Sequence, residues 1–404
     1  MEALIPQDWK SKKLQDVCRM YSGTTPSRSD AKNFSGKNVW VSSGELKEKY
    51  IHSSKELISD EAILNTALSV LQPGTVIIAI YGLEASGIRG TASITAIPCT
   101  ISQACMAFYD FESSVYNEYF YYWYIFNGPI IGRRYAQGTK QQNLSSEILS
   151  SFPICLPPIA EQRKIAEILS AQDRIIELKT KLLEEKKRLK KYLCQLIMGG
   201  NKIKLARGYS VRLLSSITKK KLIKNKDLKY SVVLSNSAKY GIVPQNVQFD
   251  KNIANEENID RYYVAEIGDF IYNPRISTSA PCGPINQNDC CDGVVSPLYT
   301  VFSCSAECVC DKYLKYYFQT SLWHEYIQSV ANTGARYDRM NVSDKDFFSM
   351  AINLPPLNTQ RQCVVLLDAF SNVIKLMEEN LEQEKLKKKA LMQQLLTGKM
   401  RVTV

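Results

Sequence analysis

Catalytic motifs are what this sequence most clearly lacks. It has no Gly-x-x-x-x-Gly-Lys-Ser/Thr loop, the motif with which many proteins hold the phosphates of a nucleotide. Its only histidines are His52 and His324, and the sequence offers neither of them a serine or cysteine partner for nucleophilic catalysis. We therefore expect neither of these two kinds of catalytic centre in the chain.

Long apolar runs are also missing. The strongest apolar stretch, residues 119–126, is much shorter than the roughly 20 residues that a membrane-spanning helix needs. The first residues lack the basic start and the apolar run that are typical of a signal peptide. We therefore expect a soluble protein in the cytoplasm.

The twelve cysteines include no Cys-x-x-Cys pair. A large cytoplasmic protein keeps its thiols reduced, and zinc sites are usually recognised by the spacing of their ligands. We expect free, buried thiols, with a structural zinc ion as the weaker alternative. One cluster stands out, and it consists of Cys282, Cys290, Cys291, Cys304, Cys308 and Cys310.

Positive charge is what the sequence has in excess. The formal net charge of the 404 residues is +11 and the pI is about 8.9. This balance favours a polyanionic partner, with nucleic acid as the first candidate and an anionic membrane surface as its rival. A basic protein without any such partner is the third possibility. The length indicates two or three domains, because a single core rarely serves so many residues.

A repeat organises the chain. The motif Leu-Pro-Pro at residues 156–158 returns at 354–356, an offset of 198 residues, and the stretches that follow end at Gly199 and Gly398. Proline suits the first position of a helix, and glycine suits the left-handed position just past its end. Each copy therefore predicts one helix of roughly 40 residues, about 60 Å long at 1.5 Å per residue.

Apolar residues recur every seven positions in both copies. Such a period favours a coiled coil over two unrelated amphipathic helices. A second apolar row, which contains Ile168, Ile175, Leu182, Leu189 and Leu196, flanks the first stripe. The two stripes match in residue type and include one lysine each: Leu169, Ile176, Leu183, Lys190 and Ile197 in the first copy, and Leu367, Ile374, Leu381, Lys388 and Leu395 in the second.

Each helix follows a region of mixed strand and helix patterns. We predict a mixed domain over residues 1–155, a helical region over 156–200, a second mixed domain over 201–353 and a second helical region over 354–404. A compact domain brings its two ends close together, so the second helix should return antiparallel to the first. The prediction is an α+β fold in which two α/β domains are separated by two long antiparallel coiled-coil helices, as a pseudo-twofold internal repeat.

The strand and helix patterns of the two mixed domains run in the same order. Unbroken β-branched runs and alternation predict the strands, and dense aromatic runs predict buried helices. The first domain's elements are expected at residues 9–17, 40–41, 76–81, 91–97 and 104–108 for strands and at 116–131 for a helix. The second domain's are expected at 210–214 for a strand, within 262–271 for the counterpart of the first domain's turn and following strand, and at 313–318 for a helix.

These features together resemble one known family. The paired Leu-Pro-Pro motifs are followed by Gln-Arg at residues 162–163 and 360–361, and the opening turn reads Ser-Gly-Thr-Thr-Pro at 22–26. Over nearly its whole length the chain resembles the DNA-specificity subunit of a type I restriction-modification system. The mixed domains would then be two target recognition domains. The second domain has no clear Gly-Thr-Thr-Pro counterpart, which leaves its first DNA-facing loop unassigned.

The resemblance implies an adaptor without catalytic activity that reads a bipartite target in double-stranded DNA. Two modification subunits, which methylate adenine with S-adenosylmethionine, would assemble on it, and restriction subunits with ATP-driven translocase and endonuclease activity, which use Mg²⁺, would join them. No cofactor or metal would be held by this chain. The methyltransferase motif Asn/Asp-Pro-Pro-Tyr/Phe is absent, since Asn273-Pro274 is followed by Arg275. The rival hypotheses are a stand-alone nuclease and a coiled-coil interaction protein.

Candidate DNA contacts are the polar side chains in loops between the scaffold elements. Arg, Lys, Asn and Gln read base edges, and Lys and Arg contact most phosphates, although surface lysine and arginine are often merely solvated. Arg275, Arg336 and Arg339 carry the most weight among these candidates. The full set is Arg28, Lys32, Tyr81, Arg89, Lys140, Gln141 and Gln142 in the first domain, and Ser237, Lys239, Tyr240, Asn273, Arg275, Arg336, Tyr337 and Arg339 in the second.

Two further groups of polar residues belong to the helices. The lysine runs at 186–191 and 385–389 are interpreted as solvated faces, with contact to DNA as the alternative. Gln162, Arg163, Gln360 and Arg361 lie at the helix starts. They are either structural or docking points for a modification subunit, and the sequence does not choose between these roles.

Overall fold

The fold was analysed in a computed structural model, which describes residues 6–83, 87–136, 142–199, 208–245, 256–305, 307, 309–332 and 338–403. The chain divides into two compact units. Met1–Thr180 with Asn380–Val404 form the first, and Lys181–Glu379 form the second. Both units combine mostly antiparallel sheets with helices, so the α+β prediction is confirmed.

The first unit is built on a five-stranded sheet in the order β2-β9-β6-β7-β4, accompanied by a three-stranded sheet in the order β5-β3-β8. A further strand, β1, pairs antiparallel with β10. The strands are β1 (Lys10–Lys13), β2 (Arg19–Ser22), β3 (Asn38–Val41), β4 (Tyr50–Ile51), β5 (Glu56–Ile58), β6 (Val76–Ala79), β7 (Ala92–Thr95), β8 (Thr100–Ile101), β9 (Cys105–Tyr109) and β10 (Pro153–Leu156).

Three helices pack in this unit, the first of them against the three-stranded sheet and the other two against the large sheet. They are α1 (Asp60–Thr66), α2 (Asn117–Tyr135) and α3 (Ser146–Ser150), with short 3-10 turns at Leu14–Asp16, Ala31–Phe34 and Ser43–Glu45. The predicted aromatic helix is α2, which buries Tyr119, Phe120 and Tyr122 completely in the core. The strand predicted over 9–17 is too long, because the chain turns at Leu14 to bury that side chain and bonds the Leu14 amide to the carbonyl of Phe152 at 3.0 Å.

The second unit repeats the plan with fewer strands in its main sheet, whose order is β12-β19-β16-β17. Its helices are α5 (Leu214–Ile217), α6 (Asp311–Phe318), α7 (His324–Val330) and α8 (Asp344–Phe348), with a 3-10 turn at Glu256–Arg261. Its strands are β11 (Ser210–Leu213), β12 (Thr218–Lys221), β13 (Leu234–Ser237), β14 (Gly241–Pro244), β15 (Tyr263–Ala265), β16 (Phe270–Tyr272), β17 (Ile285–Gln287), β18 (Gly293–Val295), β19 (Thr300–Cys304) and β20 (Ala351–Leu354).

Two long helices follow the Leu-Pro-Pro motifs, as predicted. They are α4 (Ile159–Met198) and α9 (Leu357–Leu396), and each has 40 residues. The prolines directly precede the first helical residue. Gly398 has a φ of +70°, which confirms its role past the helix end. The same prediction is wrong for Gly199, which lies outside the left-handed region and continues the helical pattern with a 3.0 Å bond to the carbonyl of Gln195.

Within each unit the two helices pair antiparallel. In the first unit Gln172 donates to Glu384 at 2.7 Å, and further along α4 Lys179 contacts Asn380, so the residue numbers run in opposite directions. In the second unit Lys187 forms a 2.9 Å ion pair with Glu378, and the end of α4 shares a core with the start of α9. The predicted antiparallel coiled coil is confirmed by these contacts. The buried stripe residues are Leu169, Leu183, Leu367, Ile374, Leu381 and Leu395.

The lysine in each stripe packs against a tyrosine of an aromatic helix. Lys388 Nζ lies 5.9 Å from the ring centroid of Tyr122 in the first unit, and Lys190 Nζ lies 5.5 Å from that of Tyr316 in the second. Both tyrosine hydroxyls bond to an aspartate and a serine of the adjoining long helix, at 2.6–3.1 Å. The order of this pair is exchanged between the repeats: Ser170 and Asp173 in α4, but Asp368 and Ser371 in α9.

A buried glutamine joins each long helix to its mixed domain. Gln162 accepts from the amide of Tyr116 at 2.8 Å and donates to the carbonyls of Ser114 and Pro157. Gln360 accepts from the amide of Cys310 at 2.9 Å and donates to the carbonyl of Pro355. Both side chains are fully buried. Their role is therefore structural, which answers one of the questions that the sequence left open.

Replacing Gln162 with alanine should lower the free energy of unfolding by about 3 kcal/mol, because it strands several buried backbone groups, each at about 1–3 kcal/mol. Urea unfolding followed by tyrosine and tryptophan signals would measure the loss. The neighbouring exposed Arg163, whose guanidinium lies 4.7 Å from the ring of Tyr116, provides the control. Arg163→Ala should lose no more than about 1 kcal/mol. Equal losses in the two variants would contradict this account.

Candidate nucleic-acid interface

Two distant loops meet beyond strand β16 in the second unit. The amide of Met340 donates to the carbonyl of Pro274 at 2.8 Å, and the amide of Ile276 donates to that of Asp338 at 3.0 Å. Between these bonds Arg275 and Arg339 face each other as an isolated antiparallel bridge. The structure thus brings together two of the three arginines that carried the most weight in the sequence.

The carboxylate of Asp338 stands beside these arginines. The guanidinium of Arg339 lies 3.4 and 3.5 Å from the carboxylate of Asp338. Its hydrogen bonds hold the pKa of Asp338 below the usual value, and the charge of Arg275 acts in the same direction. Two guanidinium groups against one carboxylate leave this surface positive, and Arg275 is exposed. Such a surface suits the phosphates and base edges of DNA.

Asn273 proves to be an internal support of the same loop. Its side chain is buried, its Nδ2 donates to the carbonyl of Asn236 at 3.0 Å, and its Oδ1 accepts from the amide of Arg275 at 3.0 Å. The side-chain amide is therefore directed into the protein. Its geometry supports a role in positioning Arg275 rather than the direct DNA contact expected from the sequence.

The hairpin of β13 and β14 adds a second group of candidates beside this loop. Asn236 ties it to the sheet by donating to the carbonyls of Ile271 and Pro284. Ser237 shapes the turn, since its Oγ accepts from the amides of Lys239 and Tyr240 at 3.3 Å. Lys239 and Tyr240 are exposed at the tip. Ser237 therefore builds the turn that displays the other two side chains.

The first unit has an equivalent meeting of loops. The amide of Leu144 donates to the carbonyl of Ile80 at 2.9 Å, and the amide of Leu83 donates to that of Gln142 at 3.1 Å. Arg89 Nη2 donates to Gln142 Oε1, so these two candidates also lie together. Tyr81 is exposed in the same region. A surface with polar and basic side chains therefore follows the corresponding strand, β6, in this unit.

Arg28 and Lys32 lie in a separate loop of the first unit. The guanidinium of Arg28 makes two bonds to the carboxylate of Glu56, at 2.7 and 2.9 Å, and these bonds raise its pKa. It also lies 4.8 Å from the ring centroid of Phe34. Arg28 therefore has a structural role whether or not it contacts DNA. Lys32 is exposed on the 3-10 turn beside it.

Four candidates, Lys140, Gln141, Arg336 and Tyr337, lie outside the described residues, and for every candidate in the set contact with DNA stays a prediction. One lysine-rich loop, residues 222–230, was missed by the sequence-based set. Its lysine density was visible in the sequence, but the motif expected at this place, Gly-Thr-Thr-Pro, is absent from the second domain.

The cysteine cluster is more open than the sequence led us to expect. Cys282 is buried, but Cys290 is exposed and Cys291, Cys304 and Cys310 are half-buried. Cys308 lies outside the described residues. Elsewhere in the chain the expectation of buried thiols fits better, and burial raises the pKa of Cys105 to about 12. Within the described ranges no group of three His, Cys, Asp or Glu side chains is arranged to hold a metal ion.

No described helix is both long and apolar enough to cross a bilayer.

Exposed arginines at the helix starts line charged grooves. In the first unit Arg163 lines a groove of about 510 Å³ together with Lys49 and Glu118. Glu118 is partly desolvated, which alone would raise its pKa, but hydrogen bonds from Lys49 and Tyr50 reverse this effect and lower it. In the second unit Arg361 lines a groove of about 430 Å³. The two arginines are therefore available to a partner, unlike the glutamines that precede them.

Comparison with known proteins gives consistent matches. The family model for the type I restriction modification DNA specificity domain matches residues 6–188 and again residues 214–386. The MjaIX specificity subunit of a type I restriction enzyme from Methanocaldococcus jannaschii is 27% identical over 183 residues, which are 44% of this chain. The chain spans about 40% of the length of that relative.

Two matches cover almost the whole chain. The MjaVIII specificity subunit of a type I restriction enzyme from the same organism is 23% identical over an alignment of 421 positions, which covers 98% of this chain and 94% of the relative. A solved chain from a study of complex assembly and conformational transition in the type I R-M system aligns with a TM-score of 0.66 at 16% identity. That alignment covers 98% of this chain and 99% of the other. It supports the fold of the full chain.

Arg275→Ala and Arg339→Ala should each weaken binding to a cognate DNA duplex by about 1–3 kcal/mol and relax discrimination at the bases they contact. The fold should stay intact in both variants, since Arg275 is exposed and the half-buried Arg339 contacts only the exposed carboxylate of its neighbour Asp338. Fluorescence anisotropy with matched and mismatched duplexes would measure both effects. Arg212, an exposed arginine of β11 in the same unit, is the control. Unchanged discrimination in both variants would remove these arginines from the interface.

Proposed function

The chain belongs to the type I restriction-modification DNA specificity family, and we propose that it is the non-catalytic subunit that reads a bipartite target in double-stranded DNA. The observation that carries this proposal is the same in both units: two polar loops, distant in sequence, are bonded together beyond the equivalent strands β6 and β16. In the second unit this arrangement displays Arg275 and Arg339 side by side.

Each unit would read one half of the target. The loop pairs share a backbone arrangement but present different side chains: Tyr81, Arg89 and Gln142 lie on the loops of the first unit, whereas Arg275 and Arg339 lie on those of the second. Different donors and acceptors select different base edges. Two unlike half-sites follow from a duplicated scaffold with two unlike surfaces. Its target would be genomic DNA, and on that ground we propose a cytoplasmic location.

Two modification subunits would assemble on the long helices. The repeats display matched aliphatic side chains: Ile175 and Leu178 on α4 in the first unit, and Val373 and Leu376 on α9 in the second, 198 residues further along. Exposed apolar side chains clustered on a helix are typical of contact sites. A surface that occurs twice suits two copies of one partner.

The chemistry would reside in these partners. The modification subunits would bind S-adenosylmethionine and methylate adenine, and restriction subunits would supply the ATP- and Mg²⁺-dependent translocase and endonuclease. The isolated chain should transfer no methyl groups to DNA, and it should direct methylation only with a modification subunit present. Methylation by the isolated chain would overturn the adaptor role.

Exchanging residues 201–353 for the corresponding domain of another specificity subunit should change one half of the methylated target and leave the other half intact. The reason is that the arginine loops of the second unit lie within the exchanged segment. Methylome sequencing of cells that carry the natural or the exchanged chain, together with the modification subunit, would reveal both targets. A change in both halves would contradict the assignment of one half-site to each unit.

Leu178→Asp should remove one of the two modification subunits, and so should Leu376→Asp, because each places a charge within one apolar contact surface. The double variant should bind none. Native mass spectrometry of the complexes would count the subunits. Leu64 in α1 is even more exposed, and Leu64→Asp is the matched control that should retain two subunits. Two subunits on the double variant would show that the surface lies elsewhere.

A further inference from the structure

Residues 222–230 of the second unit occupy the place of the loop that carries Arg28 and Lys32 in the first. Strand β12, which precedes them, pairs with β19 just as β2 pairs with β9. After them Val233 pairs parallel with Val294, as Trp40 pairs parallel with Thr100 in the first unit. The two loops are therefore equivalent in topology, although their sequences differ.

The loop of residues 222–230 is fixed by hydrogen bonds at both of its ends. The amide of Val264 donates to the carbonyl of Ile223 at 2.8 Å, and the amide of Asn225 donates to that of Tyr262 at 3.0 Å. The buried side chain of Asn225 closes the loop by bonding to both the amide and the carbonyl of Tyr230. The segment therefore presents its outer side chains from a defined backbone.

The tip of the loop has an unusual backbone conformation. Leu228 has a φ of +51°, in the left-handed region that residues other than glycine rarely adopt, and its amide donates to the carbonyl of Asn225 at 3.0 Å. Strained residues of this kind concentrate at functional sites. The turn places Lys226 and Lys229 on either side of the tip.

Three lysines give the loop its charge. Lys224, Lys226 and Lys229 are exposed, and within the described part of the chain no ion pair involves any of them. The preceding strand differs, since Lys220 pairs with Asp344 and Lys221 pairs with Glu266 and Asp269. Asp227 is the only carboxylate among residues 222–230. The loop is therefore a positive projection on a unit that already presents two arginines elsewhere.

We propose that residues 222–230 form the phosphate-binding loop of the DNA half-site that the second unit reads, as the counterpart of the loop around Arg28 and Lys32. This inference rests on the proposed function. Lysine on a flexible stem contacts phosphate as a point charge, whereas bidentate base reading is more typical of arginine, asparagine and glutamine. The loop anchors the duplex, and Arg275 and Arg339 read it.

The loop also exposes three aliphatic side chains, which would suit contact with a protein partner: Leu222, Ile223 and Leu228. A protein surface of matching acidity would also attract the lysines. The charge excess favours DNA, because a duplex presents regularly spaced phosphates to all three lysines at once. The experiment therefore measures DNA binding and subunit assembly on the same samples.

The triple variant K224Q/K226Q/K229Q, in complex with the modification subunits, tests the loop. Each lysine that neutralises a phosphate adds about 0.9 to the steepness with which the logarithm of the binding constant declines against the logarithm of the salt concentration. The steepness of this slope should therefore decrease by about 2.7 in the triple variant. Affinity for a duplex of arbitrary sequence and for the methylated target should fall by the same factor. Their ratio should stay unchanged, because phosphate contacts carry no sequence information.

Two controls separate charge from general damage. K224R/K226R/K229R keeps the charges and should keep the natural slope. K10Q/K13Q/K399Q removes three exposed lysines from β1 and the C-terminal segment with the same change in net charge, and it should leave the slope unaltered. A slope that falls equally in this control would overturn the assignment to the loop.

The remaining outcomes distinguish this inference from the proposed function. If the natural complex binds no DNA, the proposed function itself fails. If the natural complex binds DNA and the triple glutamine variant keeps its slope, only the loop proposal fails. If that variant keeps the slope but loses modification subunits, the loop is a protein contact and the proposal is overturned.

Discussion

Each half of this molecule depends on a buried amide at the start of a long helix. Gln162 and Gln360 lie in the first turn of the helix that follows the Leu-Pro-Pro motif, and each bonds to the backbone at the start of the aromatic helix in its unit. A buried amide without partners is costly, so the helix can start only where the domain supplies them. The glutamines therefore fix where a recognition domain sits on its helix, and the arginines beside them remain free to face a partner.

The proposed recognition surfaces combine a fixed backbone framework with side chains that can vary. Backbone bonds join two loops beyond β6 and beyond β16, and these bonds require no particular side chain. The backbone framework can therefore stay constant while the displayed residues change. Asn273 is the exception, because its side chain supports the loop that carries Arg275. Recognition of a new sequence would then require changes at Arg275 or Arg339, with Asn273 retained.

The long helices were predictable because their signal is local and periodic. A seven-residue period, a proline start and a second copy about 198 residues later together predicted the two long helices, and the closeness of a domain's two ends predicted their antiparallel pairing. The stripe lysines were visible but unexplained, since their tyrosine partners lie far away in sequence. The meeting of Arg275 with Arg339 was also beyond the sequence, because no local pattern records which loops lie together. Loop 222–230 was missed for a different reason: its equivalence to the first domain's loop is topological and leaves no shared motif.

The exchanged serine and aspartate show that the two repeats have diverged in a correlated way. The hydroxyl of Tyr122 bonds to a serine and to an aspartate one turn later in the helix. The hydroxyl of Tyr316 bonds to an aspartate and to a serine one turn later. Homologous recombination between the duplicated segments could join one copy to the other at any point. A crossover between positions 170 and 173 would yield a helix with either two aspartates or two serines in this turn. Two aspartates would crowd like charges around the tyrosine hydroxyl, and two serines would remove the carboxylate that accepts from it. Recombined chains with new specificities should therefore be most stable when the crossover falls outside this single helical turn.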